Sequence, residues 1–155
     1  MLTISLPSDV VRRLTQALHA SGERECGGVL MAEHCGHNQF VVRQVTIQRA
    51  GSIISFLREV ADAVRHLREF FSTTNENYVR FNYLGEWHSH PLFLPEPSTL
   101  DHASMRQIVQ DPKVGANFVV LLVLKLDSAG KLVGSAHTYL PDGAVYRSNL
   151  LIERT

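Results

Sequence analysis

The sequence predicts a mixed α/β domain: one curved, mostly antiparallel sheet flanked by about three helices. Three observations carry this. Short alternating or apolar runs of strand length interleave with stripes of helical spacing. The run Phe118-Val119-Val120-Leu121-Leu122-Val123-Leu124 is apolar throughout, as a strand covered on both faces is. The segments after it are separated by Ser128-Ala129-Gly130 and Pro141-Asp142-Gly143, which are turn signals for consecutive hairpins.

In chain order, Leu2–Leu6 alternates and reads as a short strand. Pro7-Ser8 then opens a helix whose apolar stripe is Val10, Val11, Leu14, Ala17 and Leu18, and Gly22 stops it. Glu25–Ala32 reads as a buried strand containing two glycines, and Phe40–Ile47 as the next, with His34, Cys35, Gly36, His37 and Asn38 in the turn between. Ala50-Gly51-Ser52 breaks the pattern, and a helix follows over about Leu57–Phe71. Tyr83–His90 is a strand. Ser98 caps a helix bearing Leu100, Met105 and Ile108, which Asp111-Pro112 ends. Asn117–Leu126, Lys131–Leu140 and Ala144–Arg147 are the last three strands.

At 155 residues, with 45% hydrophobic content, the chain suits one domain with a sizeable core. Lysine plus arginine and aspartate plus glutamate are 15 each, so net charge gives no case for a nucleic-acid or membrane partner. Two cysteines make no disulfide framework. With neither a signal-peptide pattern nor an apolar run of membrane-spanning length, cytoplasm is the expected location.

The chemistry concentrates in Gly85-Glu86-Trp87-His88-Ser89-His90-Pro91 and Ser98-Thr99-Leu100-Asp101. On a strand, His88 and His90 point to one face, while Trp87 points to the other and packs in the core. Asp101 follows His90 after ten intervening residues and falls in the first turn of the next helix. Two imidazoles and one carboxylate, with a fourth position left for water, are the donor count of a catalytic zinc site. Each residue also has a plainer role: a histidine satisfied by the core or solvent, a carboxylate favoured near a helix N-terminus, and an N-cap for Ser98. The Ser98 hydroxyl can accept from the backbone and still donate its own proton to an oxyanion. A general base is also needed, and Glu23, Glu25, Glu86 and Glu96 all remain candidates. Cys26 reads as a small buried residue, and His34, Cys35 and His37 as a solvated hairpin tip. Gly27 and Gly28 permit close backbone approach. Leu92-Phe93-Leu94 is an apolar loop beside the site, either a substrate platform or a partly buried turn.

Glu25-Cys26-Gly27-Gly28-Val29-Leu30, His88-Ser89-His90-Pro91 and Ser98-Thr99-Leu100-Asp101 together resemble the JAMM/MPN (JAB-domain) metalloprotease family, with Ala32 where many members have glycine. The resemblance spans most of the chain and implies one JAB domain over 1–155 with the MPN/JAB, cytidine-deaminase-like fold. It further implies one Zn2+ per chain on His88, His90 and Asp101, with Glu25 as general base and Ser98 as oxyanion donor. The implied activity is a zinc isopeptidase or peptidase cleaving after the C-terminal glycine of a ubiquitin-like protein. The wording of the motifs is close to a bacterial branch that accompanies E1-like and E2-like proteins in conjugation and antiphage operons. Maturation of a sulfur-carrier protein and a non-catalytic JAB interaction module are the alternatives. A substrate tail is expected to add to a sheet edge near Ala50–Phe56.

Overall fold

Seven strands and two helices are seen in a computed structural model that describes residues 1–48, 69–75, 77 and 80–154. They are β1 (Thr3–Leu6), α1 (Ser8–Ser21), β2 (Gly27–Gly36), β3 (Gln39–Val45), β4 (Phe81–Ser89), α2 (Thr99–Gln110), β5 (Val119–Leu126), β6 (Leu132–Tyr139) and β7 (Val145–Ile152). Residues 69–73 are also helical. The rest of the helix expected over Leu57–Phe71, and the substrate edge expected near Ala50–Phe56, lie outside the described residues.

The strands run β1-β3-β2-β4-β5-β6-β7 and close into a barrel. This corrects the expected curved sheet. β1 lies parallel to β3 on one side and to β7 on the other, and so joins the two edges. Both partners are remote in sequence, and nothing in a four-residue strand announces them. With β4 also parallel to β5, antiparallel pairing prevails only at β2–β3, β2–β4, β5–β6 and β6–β7. The same closure lengthens the last strand: Asn149–Ile152 extend beyond the expected Arg147 because they pair with Thr3–Leu6.

Helix α1 forms as its stripe predicts: Val10, Val11, Leu14, Ala17 and Leu18 are all buried. Gly22 ends it at φ +58°, a conformation that favours glycine, and donates its N–H to Leu18 O. β5 explains its own composition. Val120, Leu122 and Leu124 join the cluster built on α1, while Val119, Leu121 and Val123 pack with Met105 and Val109 of α2. Burying both faces of one strand requires apolar residues at every position. On α2 the buried residues are Met105 and Val109. Leu100, expected on the same stripe, is 64% exposed.

Trp87 is buried as expected and donates Nε1–H to Thr46 O at 2.9 Å. Gly28 makes that closeness possible: a Cβ there would stand 2.0 Å from Thr46 O. β2 runs on through His34–Gly36, so the turn tightens to His37 and Asn38, the latter at φ +58°.

Candidate metal centre

The end of β4 is held on both sides. Gly27 of β2 pairs with His88, and the His90 N–H reaches Leu124 O of β5 at 2.9 Å. Gly27 leaves the room His88 needs, because a Cβ there would meet Trp87 O at 2.6 Å and His88 Cβ at 3.1 Å. With β4 fixed, alternation puts both imidazoles on one side, their ring centres 4.9 Å apart.

The chain then turns at Pro91 and returns to Ser98, the N-cap of α2. There a reciprocal capping box forms. Ser98 Oγ accepts from Asp101 N at 3.2 Å, and Ser98 N donates to Asp101 Oδ2 at 2.6 Å. The box orients the Asp101 carboxylate toward β4. Its Oδ2 lies 3.3 Å from His88 Nε2 and 3.5 Å from His90 Nε2. Donor atoms of the three residues lie within 4.8 Å of one another, the one such group of three or more among the described residues.

These residues fit a divalent cation. With Zn–N and Zn–O bonds of roughly 2.0–2.1 Å, the edge of a tetrahedron is about 3.3 Å, close to the separations found. His88 Nε2 is buried and makes no hydrogen bond, despite its approach to Asp101; an unsatisfied buried nitrogen is costly unless something coordinates it. The His90 Nδ1 lies 3.2 Å from Leu94 O. A carbonyl can only accept, so the ring proton sits on Nδ1 and the Nε2 lone pair is free to coordinate. Burial by itself raises the Asp101 pKa, but the His88 ring and the Ser98 N–H outweigh it and hold the carboxyl well below its usual range. It is therefore an anion at neutral pH, as a cation site requires.

Glu25 stands apart from the cluster, exposed and just ahead of β2. Cys26 N takes Ser89 Oγ at 2.9 Å in place of a strand carbonyl, and Ser89 N donates to Cys26 O. These bonds carry the β2–β4 pairing one step past Gly27, to Cys26 opposite Ser89. They also explain why β2 begins at Gly27 and not at Glu25. Of the other carboxylates considered, Glu96 is engaged by Arg147 Nη1 at 2.7 Å and lies 3.5 Å from His137 Nε2. Cys26 is buried, whereas His34, Cys35 and His37 are exposed. Leu92, Phe93 and Leu94 are more than 60% exposed.

A buried polar row on β6 escaped the sequence reading. Ser135, His137 and Tyr139 alternate to one face, and each contacts the segment between Pro95 and His102. The available signal was three polar-tipped residues at a spacing of two on one expected strand.

A family profile described as prokaryotic homologs of the JAB domain matches residues 7–138. The chain belongs to the prokaryotic JAB-domain family. Two curated relatives of this JAB domain are both named CD-NTase/cGAS isopeptidase. One, from Enterobacter hormaechei subsp. hoffmannii, is 26% identical over 136 residues, covering 88% of this chain and 74% of the relative. The other, from Vibrio cholerae serotype O1, is 37% identical over 92 residues, and the match covers 56% of each chain. Two solution structures share the fold of this JAB domain: a protein of Desulfitobacterium hafniense (TM-score 0.64, 19% identity, 98% of this chain and 94% of that one) and one of Salinibacter ruber (TM-score 0.53, 15% identity, 99% and 92%).

Proposed function

We propose that this JAB domain is a zinc-dependent isopeptidase, with His88 Nε2, His90 Nε2 and Asp101 Oδ2 as its metal ligands. The observation that carries the reading is the approach of two imidazole nitrogens to one carboxylate oxygen at 3.3 and 3.5 Å. Bound there, zinc would supply Lewis acidity, polarising a carbonyl and making water more acidic. The chain's own residues do the rest. Glu25, exposed just ahead of β2, takes the proton of the attacking water and later gives it to the departing amine. Ser98 Oγ accepts from Asp101 N and so keeps its own proton to donate to the oxyanion.

The bond cleaved is an isopeptide between a C-terminal carboxyl group and a lysine amine. Membership of the JAB family and the name of the two curated relatives support this class. A ubiquitin-like protein ending in glycine is the substrate the motifs suggest, and a CD-NTase-type enzyme held in an isopeptide conjugate is the one the relatives' name suggests. Such a substrate fits a role in antiphage defence beside E1-like and E2-like proteins.

The test pairs wild-type chain with Glu25→Gln on both conjugates, with bound zinc measured alongside. Wild type is expected to cleave at least one conjugate and to lose the activity to a chelator. Glu25→Gln is expected to keep its zinc and cleave neither. Cleavage by Glu25→Gln at the wild-type rate overturns the base assignment. Wild type that binds zinc yet cleaves neither conjugate nor a linear fusion favours an interaction module.

A further inference from the structure

We infer that Ser135, His137 and Tyr139 of β6 are positioning residues for the metal centre, acting by clamping the segment that carries Ser98 and Asp101. The inference rests on the metal-dependent reading above and extends it to residues outside the ligand set. The loop from Pro91 to Pro97 must place Asp101 Oδ2 between two imidazoles, yet it has little apolar anchorage: Leu92, Phe93 and Leu94 are 61%, 65% and 77% exposed. Polar ties must therefore fix it.

The β6 row supplies them at both ends. Before Ser98, Ser135 Oγ donates to Pro95 O at 2.6 Å. His137 Nε2 lies 3.5 Å from Glu96 Oε2, and Arg147, which pairs with His137 across β6–β7, donates to Glu96 Oε1 at 2.7 Å. After Asp101, the Tyr139 hydroxyl meets His102 Nδ1 at 2.8 Å. Ser135, His137 and Tyr139 are 3%, 8% and 0% exposed, so these groups have surrendered water and depend on the segment for their partners. Alternation along one strand sets their spacing, and β5, packed on the other side of the hairpin, also anchors His90. One rigid hairpin thus references both halves of the site.

The row also contains an order of groups that mimics a serine hydrolase: Ser135 Oγ lies 3.5 Å from His137 Nδ1, and His137 Nε2 lies 3.5 Å from Glu96. Ser135 is no nucleophile, because it is buried and its proton is committed to Pro95 O.

The test uses full-length chain with Ser135→Ala, His137→Gln and Tyr139→Phe, and Val11→Ala on the opposite cluster as a stability control. Three quantities are read: zinc affinity by chelator competition, amide exchange of residues 96–102 in metal-free protein, and melting temperature. Removing partners that orient ligands typically weakens metal binding by about 10–100-fold. The three variants are expected to fall in that range and to speed exchange across 96–102, while Val11→Ala loses melting temperature without either change. Should Ser135→Ala fail to fold, Tyr139→Phe removes a single oxygen and decides alone. Variants that bind zinc as tightly as wild type, or weaken it no more than Val11→Ala does, overturn the clamp. Wild type that binds no zinc overturns the metal reading instead, and the exchange data then decide separately whether the row orders the segment.

Discussion

Asp101 performs two tasks with one carboxylate. It closes the capping box through Ser98 N, and the same Oδ2 faces both imidazoles. Asn at this position retains a side-chain oxygen for the cap but loses the charge that a cation site draws on. We expect Asp101→Asn to fold with a melting temperature near that of wild type while zinc affinity falls by about tenfold or more, read by chelator competition. Tight zinc binding by this variant would remove Asp101 from the ligand set. Gly28 sets a limit of a different kind. An added methyl would meet Thr46 O and Thr46 Oγ1 at 2.0 and 2.7 Å, and Thr46 already receives Val29 N and Trp87 Nε1. Gly28→Ala is expected to cost at least about 1–3 kcal/mol in chemical denaturation. The double glycine was visible in the sequence; the threonine it accommodates was not.

At the scale of the element, the mechanism proposed above has α2 couple helix initiation to chemistry. Ser98 is legible from sequence as an N-cap because its side chain can accept from a first-turn N–H, and the structure has that bond. The oxyanion role proposed for it is separable. Glycine at an N-cap costs only a few tenths of a kcal/mol relative to serine, whereas loss of an oxyanion donor typically slows catalysis by about a hundredfold or more. Ser98→Gly is therefore expected to melt close to wild type and to cleave the isopeptide conjugate about a hundredfold more slowly. Unchanged turnover would confine Ser98 to the cap. Helix α2 also marks a limit of pattern reading. Leu100 has the spacing of a buried residue, but α2 buries only Met105 and Val109, and Leu100 stays exposed.

Across the whole molecule, pairing of β2 with β3 and with β4 brings together charges that the linear chain keeps apart. Glu33 of β2 is buried between Arg43 of β3 and Arg80 just before β4. Hydrogen bonds from Arg80 lower its pKa most; burial works in the opposite direction, and Arg43 adds to the lowering. A carboxyl whose folded pKa lies below its unfolded one stabilises the fold above the unfolded value, near pH 4. That stability is lost as pH falls through the folded value. Unfolding free energy should therefore drop on acidification below about pH 4, and Glu33→Gln should be less stable at neutral pH with a shallower acid slope. An unchanged slope in denaturant titrations of the variant would mean that Glu33 has no part in acid sensitivity. No described helix is long and apolar enough to cross a membrane.

The sequence by itself determined most of the described elements and named the candidate donors. Helical stripes, turn residues and strand alternation are local, so α1, the β5–β7 hairpins and the shared face of His88 and His90 follow from neighbours within a few positions. Tertiary structure alone decided what depends on remote pairing. β1 closes the sheet between β3 and β7; Asp101 comes within 3.3–3.5 Å of the imidazoles; and the β6 row grips the loop that delivers it. The physical reason is the range of the interactions. Propensity and periodicity act over one or two turns of chain, whereas hydrogen bonds and ion pairs between distant segments exist only after packing has set the distances.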